Sequence, residues 1–376
     1  MNGFSWRRLR AMVRKEFVQV SRDRLTFAMM IGVPMIQLAL FGFAINSDPK
    51  HLPTAVLGAE QTEFTRSLVA AVRASGYFDI RATPASADEA FELLHRGDVQ
   101  FVIAIPPDFS QRLVRGETPA VLLEADASDP AATGNAVAAL SVLTSGALRH
   151  DLKGVLAPQQ AAAPFEWRIH RRYNPDGITQ YNIVPGLMGV ILTMTMIMMT
   201  ALAMTRELER GTMENLLAMP LRPAEIMIGK ILPYVLVGYV QVAVTLLGGH
   251  FIFGVPMVGS LWLLLACVLV FIVANLTVGI TFSSLARNQT QAMQMSFFFF
   301  LPSILLSGFM FPYRGMPVWA QWLGELLPLT HFLRLVRGIL LKGYGAGEAW
   351  PHLWPLLLFI IVVMTVGLQR FRRTLD

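Results

Sequence analysis

The sequence predicts an α-helical membrane protein in which six transmembrane helices carry an extracytoplasmic α/β domain inserted between the first and the second. Three observations carry this prediction. Of the 376 residues 54% are hydrophobic and only 15% charged, and the mean hydropathy is +0.51, too apolar for a soluble chain of this length. Charge-free runs of about twenty residues recur, and that length crosses a hydrocarbon core of roughly 30 Å. Residues 47–180, in contrast, return to a soluble composition and are long enough for one domain.

Within residues 1–24, Trp6, Leu9, Val13, Phe17 and Val20 recur at helical spacing, with Arg7, Arg8, Arg14, Lys15 and Arg22 largely on the other side. This pattern suits a helix lying on the cytoplasmic membrane surface with its basic face toward anionic lipid. The plain alternative is the positive flank of a first span. The spans fall at 25–45, 183–204, 231–253, 261–285, 292–311 and 353–369. The first is longer than the apolar part of a signal peptide and begins well inside the chain, which favours a retained span. His250 stands near one end of the third, and Pro351 and Pro355 open the sixth.

Orientation follows from Lys and Arg in the short connections, which the cytoplasmic side retains. Arg7, Arg8, Arg10, Arg14, Lys15, Arg22 and Arg24 precede the first span; Arg206, Arg210, Arg222 and Lys230 lie between the second and third; Arg287 follows the fourth; Arg370, Arg372 and Arg373 follow the sixth. The connection 254–260 has none and segment 312–352 has four. Both termini are therefore expected in the cytoplasm and residues 47–180 outside. Trp262, Trp319, Trp322, Trp350 and Trp354 then fall at the outer interface, where an indole buries its ring and keeps its N–H wet.

The outer segment alternates β-like runs (52–58, 77–83, 99–105, 120–125, 165–171) with helical ones (62–74, 86–96, 130–153), the signature of a compact α/β domain. It holds twelve Lys and Arg against sixteen Asp and Glu, a balance of −4, so the remainder carries nineteen against nine, +10. The overall charge of +6 belongs to the membrane part and argues for no nucleic acid partner. His95, His150 and His170 are isolated, and the acidic residues are expected singly on solvated faces, so no catalytic or metal site is expected. Contact with a partner, a substrate or a second copy is the work left to this domain. Cys267, the single cysteine, lies inside an apolar run and excludes an intrachain disulfide.

In segment 312–352, Pro317 is followed by Trp319, Trp322, Leu323 and Leu326, and Pro328 by Phe332, Leu333, Val336 and Leu340. Two short amphipathic helices are expected to dip into the outer leaflet over 313–345, with Pro312, Pro317 and Pro328 at their starts. Arg334 and Arg337 are placed to reach lipid phosphates or helix ends, or simply to snorkel from a surface helix.

The spans contain no Asp, Glu, Lys or Arg, although an ion-driven transporter usually carries an ionisable group near mid-depth. Their mild polarity, including Thr193, Gln241, Asn275 and Ser307 as candidate pathway residues, is expected mostly to bond to its own helix or a neighbour. No phosphate cradle is present either: the one Gly-Lys pair, Gly229–Lys230, has Ala224 in place of the first glycine and Ile231 in place of the hydroxyl. An ion-coupled antiporter is thereby disfavoured, and any energy must arrive from another chain.

The cytoplasmic stretch 206–225 is suited to receive it. Glu207 and Glu209 stand among Arg206 and Arg210; Gly211 breaks the helix, Thr212 can cap a new one, and Glu214 suits its first turn. Leu216, Leu217 and Met219 form a ridge before Pro220 and Pro223. A short stiff helix with exposed leucines fits a partner's groove; the alternative is a plain interfacial loop.

The stretch 183–230, where Ile183-Val-Pro-Gly186 opens the second span and Glu209-Arg-Gly-Thr-Met-Glu-Asn-Leu-Leu217 precedes Pro220, resembles the permease subunits of ABC-2 type exporters. So do Leu306-Ser-Gly-Phe-Met-Phe-Pro312, Met316-Pro317, Leu327-Pro-Leu-Thr330 and Arg337-Gly-Ile-Leu-Leu-Lys-Gly343. The resemblance covers essentially the whole chain and includes the bacterial subgroup with a large external domain. It implies a dimer, with a second copy or a paralogue, in the bacterial inner membrane. It also implies a separate ATP-binding-cassette ATPase that holds ATP and Mg and clasps the Glu207–Pro220 region as a coupling helix. A periplasmic adaptor is a further partner in related systems. A membrane scaffold or sensor for an ATPase, without transport, stands as the third reading.

Overall fold

The computed structural model describes residues 49–58, 62–148, 151–152, 163–209 and 223–373. The expected surface helix of 4–22 and first span of 25–45 lie outside the described residues, as does 210–222.

Residues 49–172 build a five-stranded sheet with strand order β2-β1-β3-β4-β5: β1 (Leu52–Leu57), β2 (Phe78–Ala82), β3 (Phe101–Ala104), β4 (Ala120–Asp126) and β5 (Glu166–Arg172). β1 runs parallel to β2 and β3, β3 antiparallel to β4, and β4 parallel to β5. The parallel pairs need crossovers. α1 (Glu63–Ala74) joins β1 to β2, α2 (Ala87–Arg96) joins β2 to β3, and α4 (Pro130–Gly146) leads from β4 toward β5. Each starts where the chain supplies a stop and a cap: Thr62 and Thr65 form a capping box, Ser86 caps α2, and Gly97 ends it at φ 79. α3 (Phe109–Val114), a short helix after β3, had no clear sequence signal. Leu52, Leu68, Phe78, Phe101, Phe109, Leu123, Leu140 and Phe165 fill the core between sheet and helices.

The second body is helical: α5 (Thr179–Glu209), α6 (Pro223–Phe251), α7 (Leu261–Leu285), α8 (Gln289–Leu306) and α11 (Ala346–Arg373), with α9 (Val318–Glu325) and α10 (Pro328–Arg337) as a hairpin between α8 and α11. Among the described residues four helices are long and apolar enough to cross a membrane: 179–206, 233–251, 261–285 and 346–367. The expected span 292–311 is not one of them. Its helix, α8, takes in Gln289, Gln291 and Gln294 at its start and ends at Leu306, because Gly308 at φ 85 turns the chain. The last span begins earlier than expected, since Pro351 and Pro355 are accommodated inside α11.

α7 is the central helix, buried along most of its length against α5, α10 and α11. Phe271 stacks on Phe332 of α10 with centroids 4.0 Å apart. Without a hydrophobic drive between apolar helices in lipid, close approach depends on small residues. Gly279 supplies it: a Cβ there would lie 2.7 Å from the Ile197 carbonyl oxygen and 2.9 Å from Thr200 Cβ of α5. Gly279→Val is expected to destabilise the bundle by about 1–3 kcal/mol through overpacking, read as a lower thermal unfolding midpoint in detergent.

Candidate functional site

At the end facing 210–222, Glu207 stands in the last turn of α5. Arg210, Gly211, Thr212, Glu214, Leu216, Leu217 and Pro220 lie outside the described residues. The root of that segment is anchored. Glu209, the last residue of α5, receives the backbone N–H of Gln289 on Oε1 at 2.8 Å and the Gln289 side-chain amide on Oε2 at 2.5 Å. Gln289 opens α8, where free N–H groups and the helix dipole favour an anion. The side-chain bond first and the backbone bond second hold the Glu209 carboxyl below its usual range. Two helix ends 80 residues apart in sequence are thus tied where 210–222 leaves the bundle.

The mid-depth polar residues satisfy themselves locally. Thr193 donates to Gly189 O at 2.8 Å and Asn275 to Phe271 O at 2.9 Å. Ser307 lies 3.3 Å from Ile304 O, and Gln241 accepts from Thr195 at 2.9 Å, bridging α5 and α6. Asn275 Oδ1 is buried with no partner among the described residues. Thr193, Asn275 and Ser307 turn a hydroxyl or amide back on their own helix backbone, whereas Gln241 meets a side chain of the neighbouring helix.

The outer hairpin starts its helices at prolines. Pro312 precedes a short 3-10 turn (Tyr313–Gly315), Pro317 precedes α9, and Pro328 opens α10. Arg334 forks onto Glu325, at 2.5 and 3.1 Å, and lies over the Tyr313 ring, 4.6 Å from its centroid. The Tyr313 hydroxyl lies 2.7 Å from Glu325. Burial alone would raise the Glu325 carboxyl, but Arg334 and the Tyr313 hydroxyl outweigh it and hold it below the usual carboxylate range. Arg337 donates from Nη1 to Gly308 O at 3.2 Å, in the turn that ends α8. Arg334 thus ties α10 to the end of α9, and Arg337 ties α10 to the turn after α8.

The hairpin is also bonded to the α/β domain. Lys342, in a π turn after α10 (Gly338–Lys342), meets Asp126 at the end of β4 at 2.5 Å, the two side chains 7% and 8% exposed. Burial would pull the Lys342 ammonium down, but Asp126 outweighs it and holds it above the usual lysine range. Tyr173 sits in the left-handed region at φ 67 and covers Lys342 with its ring at 5.3 Å. Arg314 donates to Gly97 O at 2.6 Å and Asn182 to Asp129 at 3.0 Å. This corrects the expectation that the domain's acidic residues sit singly on solvated faces: Asp126 is buried because a cation 216 residues away neutralises it. No sequence pattern signals such a partner.

Trp262, Trp319, Trp322, Trp350 and Trp354 are all exposed, and so is an apolar stripe on α6 through Leu236, Val240, Val244 and Leu247. A solvated protein hides such stripes; a lipid-embedded one need not. The comparisons agree with this geometry. The family described as ABC-2 family transporter protein matches residues 24–368. The chain is 29% identical to the probable multidrug ABC transporter permease YbhS of Escherichia coli (strain K12), over 99% of this chain and 98% of that one. It is 30% identical to the inner membrane transport permease YhhJ of the same organism, over 91% and 93%. Similarity at 23% identity extends over 95% of this chain and 50% of ABC transporter G family member 20 of Dictyostelium discoideum. With helices long and apolar enough to cross a membrane and a family match along nearly its whole length, this chain belongs to the ABC-2 family of transporter proteins.

Proposed function

We propose that this permease forms the substrate path of a bacterial inner-membrane exporter and is driven by a separate ATP-binding-cassette ATPase seated on residues 206–225. The observation that carries the reading is the full-length likeness to a chain named as a probable multidrug ABC transporter permease. The Glu209–Gln289 clasp adds the mechanics, since a push on a segment rooted there reaches α5 and α8 together. ATP and Mg bind the partner; this chain contributes a lever and a path. The exposed apolar face of α6 suits lipid or the second permease of a dimer. With both termini cytoplasmic, the α/β domain stands in the periplasm, where an adaptor can dock on it. The relatives' multidrug naming and the bundle's Met, Phe, Thr and Ser lining suit amphipathic cargo.

The test is reconstitution. Tagged protein is expected to bring down an ATPase chain, and vesicles holding both are expected to move an amphipathic dye only with ATP. Dye accumulation driven by a proton gradient in vesicles without any ATPase would establish the antiporter instead; substrate-stimulated hydrolysis without accumulation would establish the scaffold.

A further inference from the structure

A polar cavity of about 570 Å³ opens between the α/β domain and the outer hairpin. Six of its lining side chains are Lys or Arg and four are Asp or Glu, an excess of two positive charges. Most of these pair off: Lys342 with Asp126, Arg334 with Glu325, Arg96 with Asp98 at 3.7 Å, and Arg81 with Asp79 behind the lining. Those pairs leave Arg314 and Arg337 against Asp129, a surplus of one once Asp79 is counted; the two arginines come from different elements, the 3-10 turn and α10. Among the described residues Arg314 makes one bond, to Gly97 O. Arg337 uses Nη1 on Gly308 O, while its buried Nε and Nη2 have no hydrogen-bond partner among the described residues. Asp129, held by Asn182, offsets part of the Arg337 charge but not that of both guanidiniums.

A guanidinium withdrawn from water with two donors unmet destabilises the protein unless an anion completes it. Arginine's planar fork suits an oxyanion that offers several oxygens at once, and two arginines from separate elements lining one cavity suit a tetrahedral group better than a single flat carboxylate. We propose that this cavity binds a phosphate group through Arg337 and Arg314, presented either by a lipid headgroup of the outer leaflet or by a free phosphate compound. Exposed Trp319 and Trp322 lie on α9, which also carries the cavity-lining Gln321 and Glu325, and exposed tryptophans suit the headgroup level of a bilayer. The leaflet assignment rests on the orientation proposed above; the anion chemistry does not.

Full-length protein is purified and delipidated in uncharged detergent, and its thermal unfolding is followed at constant ionic strength. Inorganic phosphate, short-chain phosphatidylglycerol and, as a phosphate-free control, short-chain diacylglycerol are titrated in turn. A saturable rise in midpoint is expected with a phosphate-bearing probe and not with diacylglycerol. Arg337→Gln is expected to weaken that response by about tenfold or more, since it removes charge-assisted bonds. Its ligand-free midpoint is expected close to the parent's, because losing the Gly308 bond and relieving the burial of a partly compensated cation oppose each other. Arg314→Gln carries the same test should the first variant not fold. A response to phosphatidylglycerol alone identifies the headgroup as the source, and a response to both probes identifies free phosphate as sufficient. No saturable response to either phosphate probe, or equal responses in the parent and the folded variant, overturns the proposal. Binding is read without an ATPase, so a failure of the coupling assignment leaves this outcome intact.

Discussion

Leu217→Asp is expected to abolish most coupled work while the chain still folds and inserts. If Leu216 and Leu217 form the apolar ridge that enters the ATPase groove, burying a carboxylate there costs at least about 2 kcal/mol of docking, the scale of an interface hot spot, or roughly thirtyfold in affinity. Both ATP-driven transport and substrate-stimulated hydrolysis should fall together, with expression and unfolding midpoint unchanged. Glu214→Lys should act in the same direction through the helix start, more weakly, because a dipole contact is worth only about 0.3–1 kcal/mol. Full transport in the Leu217 variant would remove 206–225 from the coupling role.

The second large effect belongs to the far end of the molecule. Lys342→Met leaves Asp126 buried without its cation, and breaking one side of a buried pair is expected to cost about 3–5 kcal/mol. The double change Lys342→Met with Asp126→Leu should recover most of that loss, because the desolvation cost of both charges disappears together. The two unfolding midpoints, compared in one detergent, decide it: a single variant as stable as the parent would mean that the junction contributes little. The same single variant frees the hairpin from the end of β4, so a structural and a transport readout can be taken from one protein.

Much of this architecture is legible in the chain because it depends on short-range physics. Thr62, Ser86 and Gly97 delimit helices in the α/β domain by satisfying or ending backbone hydrogen bonds locally. Pro317 and Pro328 begin the hairpin helices for the equally local reason that proline lacks an N–H. The limits of the helix expected at 292–311 are local too: it reaches back to Gln289, ahead of the four consecutive phenylalanines Phe297 to Phe300, and stops at Leu306 before the turn at Gly308.

Composition and spacing by themselves determined the membrane class, the alternation of five β runs with helices in the α/β domain and the Pro-started hairpin. Only the tertiary structure decided where charge is spent: that Glu209 caps α8, that Asp126 meets Lys342, and that Arg337 keeps two donors unmatched among the described residues beside a cavity. The physical reason is distance. A cap or a hydrophobic period is fixed within a turn or two of chain, whereas a buried charge is fixed by whichever partner the fold brings within about 3 Å, at any separation in sequence.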